Sequence, residues 1–385
     1  MLNRIIHIAQ DEKFINSAYF QFESVYPKQN IFYIVTDSEE KGFIHVKEQE
    51  SVFKVKSSEL ILLANDIRDN DLVVFHSLAS PFYSFVLILP KKIKTVWMCF
   101  GFEVYNDARF FSENKLLDTI TQKTFFSKPV TFKYRIREKV RPFYRIIKPN
   151  LPLSGFEIKK KVFNRIDFLG SSFKEEFSTI QKLIGEKKVF FSFWYYPLEQ
   201  IISISEELII ERPNILIGNS GFKTGNHLDV FHKLKTIKIV DKKLIVPLSY
   251  GNSEYIDLII NEGKTQFENI FDPLLDFISL EEYNKVIKHC GIAILNNRRQ
   301  QAIGNTIALL WYGSKIFLSN QNPFYLYLKR IGIYVYCYET EFNSQSINEL
   351  LTLDQINDNR LILKQHLSSK LMQSELEKQI NSIYG

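Results

Sequence analysis

Apolar runs of five or six residues, each closing on polar or small side chains, recur through the first half of the chain: RIIHIA (4–9), IFYIV (31–35), LVVFH (72–76) and TVWMCF (95–100). This pattern predicts buried parallel strands, which carry apolar side chains on both faces. The intervals leave room for crossover helices, one of them expected over 57–67. Pro129, Pro142, Pro149 and Pro152 then predict a stretch broken into short helices or loops. RIDFLGSSFKEEFSTIQK (165–182) reads as strand, turn and helix. VFFSFWYYPLE (189–199) reads as a strand ending at a proline, and SISEELIIERPN (203–214) as a helix running to a boundary at Arg212 and Pro213.

The second half restarts the alternation. NILIGNSG (214–221) is a strand and turn, and a helix follows through NHLDVFHKL. KLIVPLSYG (243–251) is another strand with a loop, and SEYIDLIINEG (253–263) a helix closed by glycine. SLEEYNKVIKHC (279–290) is a helix with Ser279 as N-cap and Glu282 three positions on. GIAIL, SKIFLS and GIYVYC supply further strands, and SKLMQSELEKQINSIY (369–384) is an amphipathic helix. Two successive β/α series predict an α/β protein with two Rossmann-like, doubly wound sheets. Ligands on such sheets bind at the carboxyl ends of the strands where strand order reverses, so two sheets predict a cleft between domains. The expected division is 1–200, a linker at 201–213, a second domain over 214–365, and a terminal helix over 366–385 packing back on the first domain.

The 385 residues suit two domains of about 150–200 residues each. A 45% hydrophobic content can build two cores, and 24% charged residues argues against disorder. Cys99, Cys290 and Cys337 are widely spaced and include no CxxC pair. They predict neither a disulfide framework nor a zinc site, and fit reduced thiols in a cytoplasmic protein. The first apolar run is too short for a signal peptide, and no run approaches the roughly 18 residues of a membrane span.

Charge changes the picture more. The net charge is +6, yet 123–161 holds twelve Lys and Arg against Glu138 and Glu157, leaving the remainder of the chain at −4. The bases alternate with Phe125, Phe126, Phe132, Tyr134, Phe143, Tyr144, Ile146 and Ile147. A charge run is ordinarily a solvated face. Cations mixed with aromatic and aliphatic groups also suit an anionic membrane surface, where apolar burial and charge attraction add. Single-stranded nucleic acid would fit the mixture, but no nucleic-acid fold motif accompanies it. The membrane surface is the favoured reading, with Lys133, Arg135, Arg137, Arg141 and Arg145 as its cations, and no nucleic-acid partner is expected.

Candidate chemistry gathers at predicted strand ends. DND (69–71) has the form of a divalent-ion motif, but it precedes a strand, and a solvated turn is expected; no metal is predicted. Between Tyr283 and Tyr338 there is no Asp or Glu, while several Lys and Arg are present. A helix opening near Gly304 would offer free backbone N–H groups to a diphosphate, and Arg299 could add a bidentate contact. A packing glycine beside solvated arginines is the competing reading. GNSG (218–221) and VPLSYG (246–251) occupy equivalent strand ends, and NSG is also an ordinary turn. Glu103, past a strand end among aromatic residues, could act as a general base with a raised pKa, or be a helix N-terminal acid. His76 is a weaker candidate, since a hydrogen-bonded core histidine reads equally well.

Together the segments ILIGNSG, NHLDVF, VPLSYG, YIDLIINEG and RRQQAIGNTIALLWYGSKIFLSNQNPFY resemble the bacterial 4-acetamido-4,6-dideoxygalactose transferases. Those enzymes add the third sugar of enterobacterial common antigen to a polyprenyl-linked disaccharide. FHS, W…GFEVY and YYP match more weakly in the first half. The resemblance implies a glycosyltransferase of the GT-B architecture working without cofactor or bound metal. Its donor would be a nucleoside-diphosphate sugar, dTDP-linked, and its acceptor a polyprenyl-diphosphate-linked saccharide at the cytoplasmic face of the inner membrane. Asn219, Ser220, Gly221, Tyr250, Arg299, Gln300, Gln301, Gly304 and Asn305 become donor-site candidates. Glu103 matches an acidic residue written as Asp in that family. A sugar-nucleotide epimerase or hydrolase of the same fold, and a non-catalytic surface-binding protein, are the alternatives.

Overall fold

The computed structural model describes residues 2–38, 42–202, 209 and 211–384, and the chain divides into two compact units. Unit 1 comprises 1–112, 128–196 and 369–385, and unit 2 comprises 113–127 and 197–368. The helix expected over 203–214 falls largely outside the described residues.

Unit 1 is built on seven strands: β1 (Ile5–Ala9), β2 (Asn30–Val35), β3 (Val52–Val55), β4 (Leu72–His76), β5 (Lys94–Met98), β6 (Phe168–Ser171) and β7 (Val189–Ser192). They lie in the order β3-β2-β1-β4-β5-β6-β7, and all six neighbouring pairs are parallel. The β1 and β4 side chains are buried throughout, as strands covered on both faces require. Strand order reverses between β1 and β4, so the crevice of this sheet opens after Ala9 and His76.

Unit 2 carries β8 (Asn214–Ile217), β9 (Leu244–Pro247), β10 (Phe271–Leu274), β11 (Cys290–Leu295), β12 (Lys315–Leu318) and β13 (Tyr336–Cys337). The order is β10-β9-β8-β11-β12-β13, again parallel. Here the reversal falls between β8 and β11. β3 and β10 are absent from the sequence expectation, and each is an edge or half-exposed strand without a continuous apolar run.

Three expectations are corrected. Over 57–67 the chain forms a 3-10 segment, Leu60–Asp66, in which only Leu60 is buried; with so little to pack against, no longer α-helix is held. The proline-bearing stretch contains one continuous helix, Phe132–Ile147, with Pro142 inside it. Proline there removes a single bond, to the Glu138 carbonyl. On either side of it Arg141 reaches the Pro152 carbonyl at 2.8 Å and Arg145 the Leu151 carbonyl at 3.0 Å, which holds the C-terminal half in place. Finally, residues 113–127 belong to unit 2 although both flanks belong to unit 1.

The Ser369–Tyr384 helix belongs to unit 1. Its Met372, Leu376 and Ile380 recur at four-residue spacing and are buried. Gln379 donates to the Ser192 carbonyl at 2.9 Å and accepts from the Ser192 N–H at 2.5 Å. That side chain therefore occupies the open hydrogen-bonding edge of β7.

Candidate functional site

In unit 2 the turns after β8 and β11 flank the reversal of strand order. Gly218 leaves β8 at φ 68, and its N–H donates to the Ile294 carbonyl at 2.9 Å. Asn219 and Ser220 follow, both buried. Gly221 then pairs with Gly251 of the turn after β9: its N–H donates to the Tyr250 carbonyl at 2.7 Å, and its carbonyl accepts from Asn252 at 3.0 Å. A Cβ on Gly251 would stand 2.3 Å from the Gly221 backbone. Glycine is required there because two backbones touch.

Around this turn, buried polar atoms lack protein partners: Asn219 Oδ1, Asn297 Oδ1 and His227 Nε2 have none among the described residues. Buried polar groups in folded proteins usually find partners, and these three, among other such atoms in the chain, group at two strand ends and make this a candidate ligand site. Burial pushes the His227 imidazole down to about 4, leaving it neutral. Tyr250 is half exposed, its hydroxyl 3.5 Å from Asn219 Nδ2 and its ring edge-on to the exposed Phe222.

The Ile303–Trp311 helix starts directly beyond β11. Ala302 enters it at φ 55, a left-handed conformation uncommon for alanine, and no side chain among the described residues caps the first turn. A Cβ placed on Gly304 would meet nothing within 4 Å, so this face of the helix start is open. The half-buried Arg299 and Gln300 lie just before it. Gln301 Oε1 accepts from Asn297 at 3.0 Å and Thr224 at 3.2 Å, tying its carbonyl to the frame. Asn305 lies 3.4 Å from the Tyr283 hydroxyl.

The acid-free surroundings read from the sequence do not hold in space. Arg298 pairs with Asp118 at 2.6 Å and donates to the Leu117 carbonyl at 2.8 Å. Asn226 and Asn296 bind the same segment, and the Asp229 carboxylate accepts from the Ile120 and Thr121 N–H groups. Arg298 is thus a structural cation, whereas the helix start beside Arg299 keeps its open N–H groups. The motifs pointed to Asn219 and Gly304 but gave no sign of His227, Asn297 or Phe222; a lone buried polar residue carries no pattern in a single sequence.

In unit 1 Glu103 sits in the short Phe102–Tyr105 helix after β5, only 4% exposed. Its Oε1 accepts from Trp97 Nε1 at 3.2 Å and the Leu78 N–H at 3.3 Å, while Oε2 lies 3.9 Å from Cys99 Sγ. Burial raises its pKa against these hydrogen bonds. His76 ends β4, is enclosed, and burial pushes it down to about 3. A separate open pocket of about 290 Å³ lies at the ends of β1 and β2, with Asp11, Glu12, Thr36 and Asp37 among its lining residues. Asp71 of the acidic triplet is buried and paired with Arg4 at 2.6 Å, at the amino end of β4.

The Phe132–Ile147 helix is amphipathic in an inverted sense. Phe132, Ile136, Val140, Phe143 and Ile147 form one stripe at helical spacing, and all five are exposed. Arg141 and Arg145, expected as surface cations, instead pair with Glu157 at 3.2 and 2.8 Å; a carboxylate twelve to sixteen residues away captured them. Lys133 and Arg137 remain exposed, and Arg135 lies in the helix with its side chain outside the described residues. Among the described residues no helix is long and apolar enough to cross a membrane.

Residues 177–363 match the model of the 4-alpha-L-fucosyltransferase family, glycosyl transferase group 56. Solved structures share the fold at low identity. Anabaena HepE in complex with UDP and glucose is 10% identical with a TM-score of 0.61, over 98% of this chain and 99% of that one. The N-terminal domain of Candida albicans trehalose-6-phosphate phosphatase is 10% identical with a TM-score of 0.60, over 100% and 97%. Trehalose 6-phosphate synthase of Burkholderia multivorans is 8% identical with a TM-score of 0.59, over 100% and 97%. With two parallel Rossmann-like sheets and a segment, spanning β8 to β13, that matches the group 56 model, the chain is a glycosyltransferase of the GT-B architecture.

Proposed function

We propose that the chain transfers a deoxyamino sugar, 4-acetamido-4,6-dideoxygalactose or a close relative, from a dTDP-type donor to a polyprenyl-diphosphate-linked saccharide. The observation that carries this reading is the uncapped start of the Ile303–Trp311 helix, open at Gly304, beside three buried polar atoms without protein partners. Backbone N–H groups at a helix start, with Arg299 nearby, stabilise the charge that grows on a departing nucleoside diphosphate. Such donors supply that charge stabilisation from the chain itself, so the reaction is proposed to run without a bound metal. The exposed Tyr250 and Phe222 rings suit stacking on the base or sugar.

The match to group 56 and the UDP bound by Anabaena HepE support a nucleotide sugar as donor. For the lipid-linked acceptor, the support is the inverted helix. Its polar side, through Arg141 and Arg145, faces Glu157, leaving the apolar stripe and Lys133 and Arg137 outward. Apolar residues beside cations on one exposed face favour an anionic bilayer surface, which supports the reading of a peripheral enzyme of the inner membrane. Glu103 is proposed as the base that takes the acceptor hydroxyl proton, its raised pKa making it a stronger base than a solvated carboxylate.

The test is a transfer assay with radiolabelled sugar nucleotides against polyprenyl-diphosphate saccharides, alongside a thermal-shift titration with dTDP and UDP. Transfer dependent on the lipid-linked acceptor supports the proposal. Sugar release with no acceptor, at the same rate as with it, would instead indicate a hydrolase.

A further inference from the structure

A row of neutral polar side chains runs through the interior of unit 1. Asn30 Oδ1 lies 3.3 Å from His7 Nε2, His7 Nδ1 lies 2.9 Å from His76 Nε2, and His76 Nδ1 lies 2.7 Å from the Tyr195 hydroxyl. Asn30, His7 and His76 are at most 2% exposed. Chemistry sets the direction of every bond. The Asn30 amide nitrogen donates to Glu23 Oε2 at 2.8 Å and to the Tyr26 carbonyl at 2.7 Å, so its oxygen faces His7. His7 must then carry its proton on Nε2 and accept at Nδ1. His76 in turn donates from Nε2 and accepts at Nδ1. The last bond is therefore Tyr195 O–H donating inward to His76.

Tyr195 is fixed at its backbone as well. Its carbonyl accepts from Ser17 and, at 2.7 Å, from Gln21 Nε2, which also reaches the Trp194 carbonyl at 2.9 Å. Its half-buried ring packs against Phe14 and Phe100 at centroid distances of 4.9 and 5.0 Å. These rings follow β1, β5 and β7, on the carboxyl side of the sheet where ligands bind.

A row of this kind could carry a proton away from substrate or could orient its last member. Burial decides between them. His76 is held down to about 3 and His7 well below the usual imidazole range, so a proton delivered inward would rest on an imidazole that strongly disfavours charge. The row orients.

We propose that the Tyr195 oxygen is a fixed hydrogen-bond acceptor for one hydroxyl or amide N–H of the acceptor saccharide, whose apolar face lies against Phe14 and Phe100. Because the phenolic hydrogen is committed to His76, Tyr195 presents lone pairs only, and a group without a proton to give is refused. The inference rests on the sugar-transfer reading and adds to it the group that selects the acceptor.

Two measurements test it. In the full-length chain labelled with 15N-histidine, His7 and His76 are expected as neutral Nε2–H tautomers from pH 8 to pH 5.5; a His76 protonated on Nδ1, or charged at pH 6, overturns the orientation. In transfer assays with a polyprenyl-diphosphate-linked disaccharide, Tyr195→Phe is expected to raise the acceptor KM about tenfold, the scale of one lost hydrogen bond. The donor KM and kcat stay within about twofold. Deoxy analogues of the acceptor sharpen the assignment: one of them loses about tenfold with the wild type and nothing further with Tyr195→Phe. A wild type that transfers, with an unaltered acceptor KM in the variant, overturns this inference alone. A wild type inactive with every sugar nucleotide overturns both it and the sugar-transfer reading.

Discussion

Arg298 and Asp118 meet at 2.6 Å across 180 residues of sequence. The pair fastens residues 113–127, a segment whose two flanks lie in the other unit, against the strand ends of unit 2. Both side chains are mostly buried, and removing one partner leaves the other charge uncompensated. Arg298→Ala is expected to destabilise unit 2 by about 2 kcal/mol, between the values for exposed and buried pairs. It should also open 113–127 to proteolysis. Denaturant melts and limited digestion read both, and unchanged digestion would show that the segment is held without the pair.

Its neighbour Arg299 is expected to behave differently. Arg299→Ala should lower transfer by roughly 100-fold, as loss of an oxyanion-type contact does. It should also weaken the thermal shift given by nucleoside diphosphate. Near-normal turnover would remove Arg299 from the donor site.

The two arginines show what a single sequence discloses. The order of strands and turns was legible because strands buried on both faces write themselves as apolar runs, and GNSG and RRQQAIG mark strand ends by glycine and charge. That Arg298 is held by a carboxylate was not legible, because Asp118 enters from a segment that sequence order assigns elsewhere. The same holds for Arg141 and Arg145, captured by Glu157, and for the edge strands β3 and β10. Long-range pairing leaves no local pattern.

Glu103→Gln should fold, since the amide oxygen can still accept from Trp97, Leu78 and Phe100. Transfer is expected to be lost with donor binding retained, and unchanged transfer would exclude Glu103 as base. The pH dependence has a definite sign. A carboxyl whose pKa is raised on folding holds its proton better folded than unfolded, so stability falls as pH climbs from the unfolded value through the folded one. The glutamine variant escapes that loss. It should be at least as stable as wild type at pH 8, with its relative advantage shrinking toward pH 5.

Buried histidines act in the opposite direction. His76 and His227 are pushed down to about 3 and about 4, and His7 well below its usual value. The unfolded chain takes up protons that the folded chain refuses, so stability should fall as pH drops below about 6.5, by up to about 1.4 kcal/mol per pH unit for each group. Urea midpoints between pH 7 and pH 5 check this, and His227→Gln should flatten the slope.

For the inverted helix, cosedimentation with vesicles containing anionic lipid is the measurement. Phe143→Glu with Ile147→Glu removes two exposed apolar groups and adds two negative charges, and is expected to reduce binding at least tenfold. Retained binding would locate the membrane contact elsewhere.

The contact between Gly221 and Gly251 has a consequence for how a donor is received. Turns of a binding site are commonly loose until ligand arrives, and ordering them diminishes affinity. Here the turns after β8 and β9 are bonded backbone to backbone, with no room for a side chain between them. They form one stiff lip whose shape is set when unit 2 folds, so on the proposed donor-site reading a nucleotide would find a mould already cast.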